Sequence, residues 1–365
     1  MVKRAAQGLL VVLAALVLYL LAWPVPIDPV AWTAPPNPGY TGVHARNERL
    51  KGLETLPLGG LHGPEDVALD HEGRIYAATH EGVIVRLDRD GRNPQPWART
   101  GGRPLGIDFD GAGNLIVADA YRGLLSIAPD ATVKVLATEA EGVPIRYADD
   151  VDVAADGKIY FSDASTKFPA ESGGGTLTAS LLDLMEHGGH GRLLVYDPAT
   201  GKITVALKGL NFANGVAVSP KQDFVLVNET GSYRVIRYWI AGERKGQSEP
   251  LIEALPAFPD NISAGEGGRF WVALVSPRNA LVDRLSGSPF LRKVIQRLPA
   301  FLRPKPVLYG HVIALDAQGK VVADLQDPSG AYPINTSVTE TADYLYIGSL
   351  VAPVVARLPK SKAGL

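Results

Sequence analysis

Apolar and polar positions alternate in short runs along most of this chain, and the runs recur in a fixed order. Each unit opens with a strictly alternating stretch, turns at a polar segment that usually contains glycine, and continues in a second apolar run. It reads DVALDHEGRIYAAT from Asp66, GIDFDGAGNLIVAD from Gly106, DVDVAADGKIYFSD from Asp150, GVAVSPKQDFVLVN from Gly215 and NISAGEGGRFWVAL from Asn261. A worn sixth copy, SVTETADYLYIGS, starts at Ser337, and a third apolar stretch trails each unit, as in VIVRLD from Val83 or RLLVYD from Arg192. A period of two residues is that of half-buried strands, and turns such as Asp156-Gly157 mark hairpins. Six units over residues 45–358 average about fifty residues, which predicts an all-β, six-bladed β-propeller of four-stranded blades. A stacked solenoid ranks lower, because unit starts are spaced from 40 to about 75 residues apart and stacking needs a tighter period.

The same pattern marks what lies outside the propeller. Lys3 and Arg4 precede GLLVVLAALVLYLLAW, Gly8 to Trp23, which carries no charge and is extended by Ala5 and Ala6. That is close to the roughly 20 residues that span hydrocarbon, and Trp23 is a suitable interfacial aromatic. No small-x-small cleavage site follows. Residues 1–23 therefore read as an uncleaved signal anchor, a single transmembrane helix held in the membrane through residues 5–23, in preference to a removed signal peptide. The N-terminal charges would keep that end cytoplasmic and the body extracytoplasmic, on a periplasmic or lumenal side. Pro-rich residues 24–44 read as an extended tether, residues 359–365 as a tail, and a chain starting near Thr41 as soluble.

Two units are interrupted between their second and third strands, by residues 166–190 and 276–309. Both insertions would emerge on one face as helical lids. In SPFLRKVIQRLP, Ser288 is a suitable N-cap and Pro289 a first helical residue. Phe290, Leu291, Val294, Ile295 and Leu298 share one helical face, opposite Arg292, Lys293 and Arg297. Such a helix would pack its apolar face on the propeller; the sharper alternative lays it on the anchoring membrane.

Composition narrows the function. The 365 residues are 46% hydrophobic and 20% charged with a net charge of −2, so no basic footprint for nucleic acid exists. The absence of cysteine excludes disulfides, thiolate metal sites and a Cys nucleophile. No GxSxG, P-loop, HExxH or post-strand GxGxxG motif is present.

The chemistry lies just ahead of the repeats. The residues preceding the five clear copies are Glu65, Leu105, Asp149, Asn214 and Asp260, and four of these five carry a side-chain oxygen. Around a propeller axis they would converge into a metal site, and hard oxygens without His or Cys select calcium. Asp and Asn are common at turns for other reasons, but four of five aligned positions exceed chance placement; a purely structural ion stays open. Asp119 and Asp163 end second strands on the same face and, with Asn261 and His62 (ahead of GPED), are candidate supporting or substrate-contacting groups. His187 and His190 in EHGGHG have metal-like spacing but read as a solvated loop.

GPEDVALD, GRPLGIDFDGAGNLIVADAYRGLL, EGVPIRYADDVDV, YFSDAST, GRLLVYDP, LNFANGVAVS, RYWIAG, FPDNIS, FWVAL and YIGSL, in this order from about Leu53 to Leu358, resemble the strictosidine-synthase-like branch of the gluconolactonase and paraoxonase superfamily. The resemblance implies one calcium ion in the central channel and metal-dependent hydrolysis of lactones, aryl esters or organophosphates. By position it makes Glu65, Asp149, Asn214 and Asp260 the ligands, with Asp149 standing where an Asn is usual. Asp260 is then the expected general base or nucleophile, acting on a small ester or lactone whose carbonyl the ion polarises. Thr336 stands where the plant strictosidine synthases carry a glutamate, which disfavours amine–aldehyde condensation. A non-catalytic, ligand-binding propeller is the competing expectation.

Overall fold

The computed structural model describes residues 2–365. Its body is the six-bladed propeller expected from the repeats. Blade I contains Val67–Leu69, Ile75–Ala78, Val83–Leu87 and Gln95–Arg99, an antiparallel sheet in sequence order. Blades II to V repeat that order, with inner strands Pro104–Phe109, Ala148–Val153, Ala213–Val218 and Ala257–Ala264. Blade VI differs. Its inner strands Asn335–Glu340, Tyr344–Ser349 and Val354–Pro359 are completed by Glu54–Pro57 from the other end of the chain, with Leu56 opposite Val355. That pairing closes the ring, and it removes two exposed sheet edges at once.

The core lies between blades. Leu56, Val67, Ile75, Val83, Tyr346 and Val355 are buried together where blade VI meets blade I, and comparable clusters fill the other joints. The inner strands are stitched across these joints by carboxylates. Asp66 accepts from Ile107 N (2.9 Å), Asp108 from Val153 N (3.0 Å), and Asp150 and Asp152 from Val216 N and Val218 N (2.7 Å each). A side chain at Gly106 is excluded for this reason, since its Cβ would lie 2.3 Å from Asp150 Oδ1.

Helix α1 (Val2–Ala22) is apolar and exposed along its length, and is the one described helix long and apolar enough to cross a membrane. Residues 24–41 have no regular structure, yet they are strapped across the propeller. Ile27 is buried, Val30 N donates to Glu186 O (2.8 Å) and Trp32 N to Ser286 O (3.1 Å). The strap lies over helices from the two insertions: α2 (Thr176–Glu186), α3 (Ala280–Arg284) and α4 (Pro289–Arg297).

Helix α4 starts at Pro289 as the sequence indicates, and Ile295 packs on the core as expected, but the split between its faces is only partly kept. Arg292 and Arg297 are buried, whereas Phe290 and Leu291 are exposed. Arg292 donates to Met185 O (3.1 Å), Glu186 O (3.3 Å) and Ser286 O (3.0 Å), and also to Val30 O. The carbonyls ending α2 and those of the strap need donors, and a guanidinium with five N–H groups supplies them.

Candidate functional site

Five of the six inner strands slip register at the same point: between Pro104 and Ile107, Ala148 and Val151, Ala213 and Val216, Pro259 and Ile262, and Asn335 and Val338. A bulge leaves an extra residue unpaired and re-aims the side chains beside it. Here it separates two consecutive residues into two layers. The first of each pair (Leu105, Asp149, Asn214, Asp260, Thr336), joined by Glu65 of blade I, lines a cavity on the insertion face. The second (Asp150, Asn261, Ser337, with Asp66 of blade I) faces the lower channel.

Bonds between neighbouring blades, and one within blade III, hold these positions in place. Thr336 Oγ1 donates to Glu65 O (2.6 Å), Asn228 Nδ2 to Asp260 O (2.5 Å), and Asp150 N to Ser162 Oγ (3.0 Å). The result is a tight acidic cluster. Glu65, Asp149 and Asp260 are buried and place one oxygen each within 4.8 Å of one another. Asn214 Nδ2 donates to Asp260 Oδ1 (2.6 Å), and Asn261 Nδ2 donates to Glu65 Oε1 (3.1 Å).

Burial, reinforced by the Asp260 and Asp149 charges, raises the Glu65 carboxyl well above its usual range. Asp149 rises likewise through burial and Asp260, while the Arg103 guanidinium opposes the shift. Burial brings Asp260 to about 7 against the hydrogen bond from Asn214. A divalent cation fits this arrangement. Three buried carboxylates face one another with only amide donors between them, and the Asn214 Oδ1 and Asn261 Oδ1 atoms are buried without a partner. Such orphaned oxygens are costly unless a donor or a cation meets them. An all-oxygen set of this kind suits calcium.

Above the cluster the cavity is apolar, about 150 Å³ in volume. Leu105, Tyr147, Phe212 and Phe258 form its lower walls, α2 contributes Leu177, Leu181 and Leu184, and Trp32 of the strap closes one side. Trp32 stacks on the His187 ring, centroids 3.9 Å apart. Burial lowers His187 to about 3, so the ring is neutral.

The other sequence candidates have different places. Asp119 Oδ1 accepts from the backbone N of Arg103 (2.9 Å), Tyr121 and Arg122 (3.0 Å each). Asp163 accepts from Tyr147 N (2.8 Å) and Arg192 Nε (2.8 Å). Both fix the loops that lead into inner strands and neither lines the cavity. His62 is half-exposed, stacks on His80 and pairs with Glu81 outside the cavity. His190 Nε2 meets Glu186 Oε1 (2.6 Å) while His187 stacks on Trp32, so the two do not share a metal. A second cluster, His44, His311 and Asp324, lies away from the cavity. There Asp324 Oδ2 bonds both imidazoles (2.8 and 3.2 Å) and fastens the N-terminal segment to blade V. Glu340, an acidic residue on the same inner strand as Thr336, is remote from the cavity and paired with Arg269.

Sequence reasoning missed Trp32, Arg103 and the cavity walls. The aromatic in VAWTAPP was a signal against a free tether, because a lone Trp in a Pro-rich segment gains most by burial.

Comparison with known proteins follows the same lines. A sequence profile described as Strictosidine synthase matches residues 149–243, and one described as Strictosidine synthase-like, N-terminal, matches residues 42–87. Adipocyte plasma membrane-associated protein of Rattus norvegicus is 34% identical over 357 residues, covering 91% of this chain and 93% of that protein. Among solved structures, a gluconolactonase of Xanthomonas campestris superposes with a TM-score of 0.62 at 17% identity, covering 91% of this chain and 98% of its own. Regucalcin of Agrobacterium tumefaciens, a calcium-binding protein, gives 0.57 at 14% identity, over 84% and 93%. At such identities the structural likeness establishes the fold alone.

Proposed function

The chain belongs to the strictosidine-synthase-like family, and from that premise we propose that it is a membrane-anchored, calcium-dependent hydrolase of small esters or lactones. The observation that carries this reading is the floor of the cavity, where three buried carboxylates and one amide meet beneath apolar walls.

Glu65, Asp149, Asn214 and Asp260 would hold the ion. When bound, calcium supplies a Lewis acid for the substrate carbonyl and charge for the carboxylates. The remaining chemistry belongs to the chain. The apolar walls seat the acyl or aryl portion; a cavity of this size has room for an aromatic ring. They also exclude bulk water. Asp260, held by Asn214, would take the proton from an attacking water at its carboxylate oxygen. Thr336 cannot replace the missing glutamate of a condensing synthase, because its hydroxyl is committed to Glu65 O.

Helix α1 would anchor the protein by a single pass, with Lys3 and Arg4 on the cytoplasmic side and the propeller on the opposite one. The rat relative is itself named as plasma membrane-associated.

The test is a panel of lactones and aryl esters presented to the purified full chain, with and without chelator. Hydrolysis that is lost on chelation and restored by calcium, with about one calcium per chain by elemental analysis, is expected. Retained calcium without hydrolysis of any ester or lactone would make the protein a binding propeller. Zinc in place of calcium would overturn the metal assignment.

A further inference from the structure

Helix α4 packs Ile295 on the core but also encloses charge and exposes large apolar side chains. Its guanidiniums are enclosed, Arg292 1% and Arg297 7% exposed, while Phe290 is 54% exposed. The apolar exposure continues past its end: Phe301 is 72%, Leu302 56% and Leu308 59% exposed. Isolated exposed apolar residues are ordinary, but a run of large ones on adjoining turns marks an interaction surface.

Two further observations say what covers it. Arg297 Nη1 donates to Leu20 O (3.0 Å), its Nε donates to Trp23 O (2.5 Å), and Tyr19 Oη donates to Arg297 O (3.1 Å). Leu20 and Trp23 stand at the end of α1, where helix carbonyls have no partner of their own. A buried arginine of the propeller thus caps the apolar helix and pins α4 to the point where α1 would leave the hydrocarbon. The exposed run also surrounds the cavity mouth, since Pro304, Lys305 and Pro306, between Leu302 and Leu308, line the cavity. Exposed Lys305 sits among the apolar side chains, as basic residues do at a headgroup boundary.

We infer that α4 and the 299–308 loop are seated in the interface of the same bilayer that α1 enters, so that the cavity mouth opens onto lipid. The occupant of this surface is the membrane. Combined with the proposed hydrolysis, on which this second part rests, the substrate class is an ester or lactone that partitions into the bilayer. Its carbonyl would reach the acidic floor while its apolar chain trails through the rim into lipid.

The chain has no cysteine, which allows a clean experiment on the full-length protein. Phe301→Cys and Leu308→Cys are labelled with an environment-sensitive fluorophore and reconstituted into phosphatidylcholine vesicles, with and without spin-labelled lipid. Ala112→Cys, in an exposed hairpin between the first and second strands of blade II, is the control. Labels at 301 and 308 should emit in the blue, be quenched by spin-labelled lipid and resist iodide; the label at 112 should do the reverse. If 301 and 308 are as open to iodide as 112, the membrane seat is wrong. In a second arm, Phe301→Asp with Leu302→Asp should lower kcat/KM at least fivefold toward a vesicle-embedded long-chain ester and leave a water-soluble short-chain ester unchanged. Equal loss on both would overturn lateral entry. Lipid quenching without hydrolysis of any ester would refute the hydrolase and leave the membrane seat standing.

Discussion

Asp260 and Asn214 share one hydrogen bond of 2.6 Å, yet replacing them should have different consequences. An amide oxygen still coordinates, so Asp260→Asn should keep much of the bound calcium while losing hydrolysis by about 10²-fold or more, the size of general-base catalysis. Asn214→Ala should weaken the metal first, with activity partly recovered at high calcium. Titrating calcium against rate separates the two. An Asp260→Asn variant as fast as the parent would make the carboxylate only a ligand. The carboxylates also fix a pH dependence. Burial raises Glu65 and Asp149, and brings Asp260 to about 7, above their unfolded values near 4. Without a cation the native state therefore holds protons that the unfolded chain releases. Stability is full below about pH 4 and falls as pH rises toward 7. Calcium replaces those protons, so it should raise the melting temperature more at pH 8 than at pH 5. Thermal melts in chelator and in calcium test the sign; a larger calcium effect at pH 5 contradicts it.

At the scale of elements, the strap, the insertions and α1 are fastened together by two buried arginines. Arg292 serves carbonyls of α2, of the α3–α4 turn and of the strap. Arg292→Ala leaves these groups unpaired and should cost on the order of 3 kcal/mol. Because the loss is local, the expected signature is protease cleavage within residues 24–40 before the propeller unfolds, together with weaker substrate binding as Trp32 leaves the cavity wall. Limited proteolysis followed by mass spectrometry reads this directly; cleavage unchanged from the parent would show that the strap does not depend on Arg292. This dependence was hidden in the sequence. The helical period of residues 289–297 was legible, and so was the inward packing of Ile295, but not the burial of Arg292 and Arg297. That depends on unpaired carbonyls brought alongside from residues more than 100 positions away.

For the whole molecule, a body starting at Thr41, expected to be soluble, would be incomplete at its cavity. Such a chain lacks Ile27 and Trp32 and so loses part of the cavity wall. A chain starting at Pro24 keeps them. It should fold, and should bind vesicles peripherally through the exposed side chains around the cavity mouth, whereas the full chain should stay in the membrane fraction after high-salt and alkaline washes. Recovery of a mature N-terminus beyond Trp23 from cells would show a cleaved signal peptide instead. Flotation with vesicles of the Pro24 and full chains tests both expectations.

The propeller and its ring of oxygens were written in local periodicity. Alternation with a period of two specifies strands, glycine turns specify hairpins, and repetition specifies identical blades, so the residue ahead of each copy had to recur at one radius. That was enough to name Glu65, Asp149, Asn214 and Asp260. Tertiary structure alone decided the rest. The shared bulge that separates Asp149 from Asp150 into two layers depends on pairing with the next strand. The closing strand Glu54–Pro57 finds its partner about 300 residues away. The cavity walls come from a strap and two insertions that carry no repeat, and α4 turns its charges inward to satisfy carbonyls placed beside it by the fold. Contacts without periodicity leave at most a hint of burial in a single sequence, as Trp32 does, because nothing local distinguishes the partner a side chain will meet.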